Sequence, residues 1–72
     1  MEPNEIPQIL EAILFVAGEP VDVADLAQAL EVSEMEIMHA VEELQRECER
    51  RGVTIHRYGD HLRMETRPEY AP

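Results

Sequence analysis

At Gly52 the apolar residues of this 72-residue chain change their spacing, from a helical period before it to strict alternation after it. A helix stripe and a two-residue repeat cannot share one element, so the pattern specifies an α+β domain with its helices first and a hairpin last. Val53–Tyr58 and His61–Thr66 read as the two strands, joined by Gly59-Asp60. A leading glycine supplies the positive φ of a type II′ turn, and a two-residue loop sets the register. Tyr58 is then expected opposite His61, Arg57 opposite Leu62, His56 opposite Arg63 and Ile55 opposite Met64. That pairing puts Val53, Ile55, Leu62 and Met64 on one face and Thr54, His56, Tyr58, His61, Arg63 and Glu65 on the other.

Three helices precede the hairpin. The first is expected from Asn4 or Glu5 to Ala17, with Pro7 in its opening turn, Gly18 as its stop and Pro20 beyond. Ile6, Ile9, Leu10, Ile13, Leu14 and Ala17 form one stripe, yet Ala12, Phe15 and Val16 lie off it, so this helix is apolar nearly all round. The second runs from Val23 to Leu30 behind the N-cap Asp22, with Asp25 in its first turn and Val23, Leu26, Ala27 and Leu30 facing inward. After the short connection Glu31-Val32, Ser33-x-x-Glu36 reads as a capping box that opens a third helix of about five turns, ended by Gly52. Ile37, Val41, Leu44 and Cys48 supply its core stripe. Three helices, the second and third joined by a short turn, followed by a β-hairpin, describe a winged helix-turn-helix. Residues 1–66 form that expected domain, and residues 67–72 read as the start of a linker.

A chain of this length buries only roughly 60% of the surface it exposes when unfolded, which leaves little room for a deep substrate pocket. Charge narrows the function further. Sixteen Asp and Glu oppose six basic residues, all Arg, for a formal net charge of −10. The two signs are segregated: residues 1–45 carry 11 acids and no Lys or Arg, whereas residues 46–72 carry 5 acids and 6 Arg. Phosphate polymers and anionic membranes repel such a chain unless its arginines cluster. Cys48 is the single cysteine, so no intrachain bridge can form, and the expected compartment is the cytosol. The longest apolar run, Ala12 to Ala17, is far too short to span a bilayer.

In a DNA-reading winged helix the third helix offers Arg, Lys, Asn or Gln to base edges while a basic wing holds phosphates. Here that helix presents Glu34, Glu36, His39, Glu42 and Glu43 outside its core stripe. The DNA-binding alternative therefore rests on Arg57 and Arg63 of the wing, with Arg46, Arg50 and Arg51 near the end of the third helix. Arg46 stands four residues after Glu42 and Arg51 four after Glu47, spacing that suits intrahelical ion pairs. No catalytic, cofactor-binding or metal-binding constellation is read. His56 and His61 are diagonal neighbours on a solvated hairpin face, Cys48 is a core residue, and the three glycines are too far apart for a phosphate loop. What remains is the first helix. A three-helix domain with a hairpin covers one stripe of it, leaving Phe15 and Val16 to find another protein chain.

The stretch from Ile9 to Val21, Ile-Leu-Glu-Ala-Ile-Leu-Phe-Val-Ala-Gly-Glu-Pro-Val, followed by Leu26-Ala, Val32-Ser and the ending from Arg63 to Pro72, resembles the amino-terminal part of the segregation and condensation protein B family. That resemblance implies a non-enzymatic subunit of the bacterial condensin, nucleoid-associated in the cytoplasm, which acts with a kleisin subunit and an SMC ATPase in chromosome condensation and segregation. It also implies tandem winged helices that form a homodimer through the first, so a chain ending at Pro72 is expected to be a truncated part lacking the second. The dimer surface would include Leu14 and Phe15 with Ile9, Ala12, Ile13 and Val16. No cofactor, small-molecule substrate, membrane or sequence-specific DNA is implied as a partner. Glu31 departs from the family where many members have glycine; if the position requires positive φ, Glu31 costs on the order of 1 kcal/mol.

Overall fold

A computed structural model describes residues 5–70. The elements run α1 (Ile6–Val16), β1 (Val21–Asp22), α2 (Val23–Leu30), α3 (Glu34–Glu47), β2 (Val53–Tyr58) and β3 (His61–Thr66), with 3₁₀ turns at Cys48–Arg50 and Pro68–Tyr70. Asn4, the alternative start of the first helix, lies outside the described residues.

Helix α1 buries Ile6, Pro7, Leu10 and Leu14, one stripe at i, i+4 and i+8 with the proline in the first turn, where its missing N–H leaves no bond unmade. It ends one residue earlier than expected and by a different device. Ala17 turns extended (φ −74°, ψ 126°), and its N–H donates to Ile13 O at 3.0 Å. Gly18 does not take a positive φ, so it is not a left-handed cap.

The left-handed cap belongs to α2. Glu31 adopts φ 57°, ψ 43°, its N–H donates to Gln28 O (3.2 Å), and the Val32 N–H donates to Ala27 O (3.0 Å). This paired pattern is a Schellman motif, and half-buried Val32 packs against the core beside it. At the other end of α2, Asp22 caps as expected, its Oδ1 accepting from the N–H groups of Ala24 (2.7 Å) and Asp25 (3.3 Å). Ser33 caps α3 by accepting from the Glu36 N–H at 3.1 Å. The Glu36 carboxylate meets the Ser33 hydroxyl at 3.3 Å rather than reaching the Ser33 backbone, so only half of the expected box closes.

All four residues expected on the α3 stripe are buried, together with Ala40. The helix does not stay α-helical to Gly52; it tightens into the 3₁₀ turn at Cys48, with the Arg51 N–H donating to Cys48 O at 2.9 Å. The hairpin register is as the turn dictates, from Val53 opposite Thr66 to Tyr58 opposite His61. Gly59 has φ 62°, whereas Asp60 does not have positive φ, which fits a II′ turn and excludes I′. The apolar and polar division of the hairpin holds with one exception: Thr54, on the polar side, is buried.

The sheet has a third strand that the alternation did not signal. β1 pairs antiparallel with β3 through Val21 opposite Leu62 and Asp22 opposite His61, giving the order β1-β3-β2. The Val23 N–H also donates to Asp60 O at 2.8 Å, which ties the hairpin turn to the start of α2. Leu10, Ile37, Leu44, Ile55 and Leu62 are the largest fully buried side chains and stand where α1, α3 and the hairpin meet. Gln45 bridges two of these layers, donating from Nε2 to Ile55 O at 2.9 Å. The result is the expected α+β winged helix-turn-helix. Among the described residues no helix is long and apolar enough to cross a membrane.

Candidate protein interface

Because α1 spends its i, i+4 stripe on the core, the apolar residues a third of a turn away are left open by the described residues. Phe15 is 77% exposed and Val16 79%, and Ala12, one turn before Val16, is also open. Burying a side chain of Phe size is worth about 1.5–3 kcal/mol, so leaving this one in water forgoes one of the larger gains open to a domain this small. Beside it, a shallow groove runs between α1 and the hairpin. Ala12, Phe15 and Val16 line one wall, half-buried Val53 and Met64 the other, with Glu11 and Arg51 along the rim. A second depression shares Phe15, Val53 and Met64, so the ring borders two adjoining hollows.

The six α1 residues singled out in the sequence therefore divide into three groups. Ala12, Phe15 and Val16 form the open patch. Ile9 and Ile13 are half-buried on its flank, and Ile13 packs against the core. Leu14 is 2% exposed and belongs to the core, because it sits one helical turn after Leu10 on the buried stripe; it is not a surface residue.

The third helix keeps the expected carboxylate face. Glu34, Glu36, His39, Glu42 and Glu43 are all exposed, with Met35 open among them. The ion pairs expected from the i, i+4 spacing do not form: the pairs within 4.0 Å among the described residues are His56–Glu65, Arg57–Asp60 and His61–Asp22. For Arg51 the reason is geometric, since the helix has already ended and the residue is extended.

The wing arginines of the DNA-binding alternative do not converge. Their register partners, Leu62 for Arg57 and His56 for Arg63, place the two side chains on opposite faces of the hairpin. Arg57 is moreover engaged locally, its Nε donating to Gly59 O at 2.7 Å and its guanidinium 3.9 Å from Asp60. The two histidines turn to different partners: His56 Nδ1 lies 3.5 Å from Glu65 and His61 Nε2 lies 3.7 Å from Asp22. Tyr58 donates its hydroxyl to Glu65, and this bond holds its pKa above the usual phenol value. Cys48 is buried, and burial pushes its thiol up from 9.0, the opposite of what a nucleophile requires.

Arg67, which sequence reasoning left in the linker, is bonded to the domain. Its backbone N–H donates to Gly52 O (2.7 Å), its Nε to Arg51 O (2.9 Å) and an Nη to Cys48 O (2.6 Å). A cation beyond the last strand carries no periodic signal; only the fold brings it to the end of α3.

The fold and this face define a winged-helix domain with an open apolar patch on its first helix and carboxylates where a DNA-reading helix carries donors. The family described as "Segregation and condensation complex subunit ScpB" matches residues 8–72, and the chain belongs to it. It is 41% identical to segregation and condensation protein B of Geobacillus kaustophilus over 97% of its length, which is 34% of that protein. To the Bacillus mycoides protein of the same name it is 39% identical, covering 99% of this chain and 39% of the relative. The chain thus spans between a third and two-fifths of the curated relatives it matches. Among solved structures, a dimer of the ScpB N-terminal domain complexed with a ScpA peptide superposes with a TM-score of 0.83 at 34% identity, over 93% of this chain and 86% of that one. ScpB from Mycobacterium tuberculosis superposes at 0.85 with 26% identity, over 97% of this chain and 45% of that one.

Proposed function

We propose that this chain is the amino-terminal winged-helix module of a non-enzymatic condensin subunit. It pairs with a second copy through the Ala12, Phe15 and Val16 patch, with Ile9 and Ile13 at its edge. The pair docks on a kleisin subunit and, through it, on an SMC ATPase, serving chromosome condensation and segregation in the cytoplasm. The module reaches through Arg67, which is bonded to the end of α3, and the residues after it lead toward a second winged helix.

The observation that carries this reading is the exposure of Phe15 and Val16 on a helix whose Ile6, Leu10 and Leu14 are buried. The solved dimer of an N-terminal ScpB domain with a ScpA peptide supports both the pairing and the kind of partner. The acidic face of α3 and the divergent Arg57 and Arg63 weigh against the DNA-binding alternative.

Phe15→Asp tests the pairing. A carboxylate at an open site leaves the fold intact, since the side chain it replaces contributes little to the core, but two such charges facing each other in an apolar contact oppose association. Light scattering is expected to give twice the chain mass for the wild type and one chain mass for the variant. A dimeric Phe15→Asp variant would remove this face from the interface.

A further inference from the structure

We propose that Arg67 is a positioning residue that clamps the junction between α3 and β2, and so holds one wall of the Phe15 groove in place. The junction, Cys48 to Gly52, is a 3₁₀ turn followed by an extended residue and a glycine, with few internal bonds of its own. Arg67 follows Thr66, the register partner of Val53, and so lies beside this junction, where it takes up three of its carbonyls: Gly52 O through the backbone N–H, Arg51 O through Nε and Cys48 O through Nη. Two of these bonds come from one planar guanidinium, a fork whose donors are fixed relative to each other. The positive group also sits at the carboxyl end of α3, where unpaired carbonyls carry partial negative charge.

The connection to the groove is direct. Arg51 and Val53, on either side of Gly52, line the groove opposite Ala12 and Phe15. Their backbone is the segment that Arg67 holds, so the shape presented to a second copy is set in part by a residue that does not line it. A wall fixed before association need not be ordered during it, which is how pre-organisation strengthens binding. The effect on pairing rests on the reading of the Phe15 face as a dimer surface; the clamp itself does not.

The test uses Arg67→Ala and Arg67→Lys in the 72-residue chain, each followed by amide hydrogen exchange and by dimer dissociation on dilution. In Arg67→Ala the amides at positions 51 and 67 are expected to exchange roughly 10- to 100-fold faster, as loss of charge-assisted hydrogen bonds predicts, with helical circular dichroism unchanged. The dimer dissociation constant is expected to rise about tenfold. Lysine keeps the charge but not the fork, so Arg67→Lys should restore only part of both effects.

Wild-type exchange rates in Arg67→Ala would overturn the clamp. Faster exchange with unchanged dissociation would overturn its role in positioning the groove. Full rescue by lysine would reduce the residue to a point charge at a helix end and overturn the fork. Phe15→Asp measured alongside separates the two ideas: if that variant remains dimeric the interface reading fails, while the exchange result still decides the clamp.

Discussion

Cys48 shows how a single side chain reports its position through its chemistry. It sits at the end of the α3 stripe, 2% exposed, and burial raises its thiol pKa from 9.0. An acid whose folded pKa is raised keeps its proton when the unfolded form has lost it. The unfolded state therefore binds fewer protons above the unfolded pKa, and stability present at neutral pH falls as pH rises through that range. Between about pH 8 and about pH 9.5 this group is therefore expected to lower the stability progressively. Cys48→Ala is less stable throughout, because it leaves a small void, but it lacks this part of the slope. Urea melts of both proteins at the two pH values check the prediction, and equal slopes would mean that the thiol ionises alike in both states.

Among the elements, the joint between α2 and α3 carries a visible strain. Glu31 stands in the left-handed region at φ 57°, where a Cβ crowds the following carbonyl. Glu31→Gly is expected to stabilise the domain by about 1 kcal/mol, whereas Glu31→Ala, which keeps the Cβ, should gain little. Thermal melts of the three proteins test this, and a glycine variant no more stable than the alanine one would contradict it. This strain was legible in the sequence as a departure from glycine, and so was the hairpin register, because a two-residue turn admits few alternatives. The three helices were legible through their stripes and caps. β1 was not, since two residues have no period to detect and Val21-Asp22 also serves as the entry to α2. Gly18 misled for a related reason: a glycine after a helix signals a left-handed cap, but here Ala17 leaves in an extended conformation toward β1. The early tightening of α3 and the burial of Thr54 follow from tertiary packing that local periodicity does not encode.

For the whole molecule, a predominantly acidic surface is set against the open apolar patch on α1. A net charge of −10 opposes contact with phosphate, and three of the arginines that would counter it are dispersed: Arg57 and Arg63 on opposite hairpin faces, Arg67 bonded to the end of α3. The candidate interface was only half legible in the sequence. The helical stripe already set Ala12, Phe15 and Val16 apart as left over, and they are exposed; Leu14, which the family resemblance drew into the surface, lies on the i, i+4 stripe and belongs to the core.

Phe15 is the one phenylalanine in the chain, so a 4-fluorophenylalanine label gives a single fluorine resonance at the centre of that surface. Following this resonance across a dilution series, in light and heavy water, tests the central claim most directly. The account predicts that the solvent isotope shift, full for the dilute exposed ring, shrinks in step with dimer formation as the ring leaves water. A resonance that keeps its full isotope shift at concentrations where light scattering shows a dimer would contradict it.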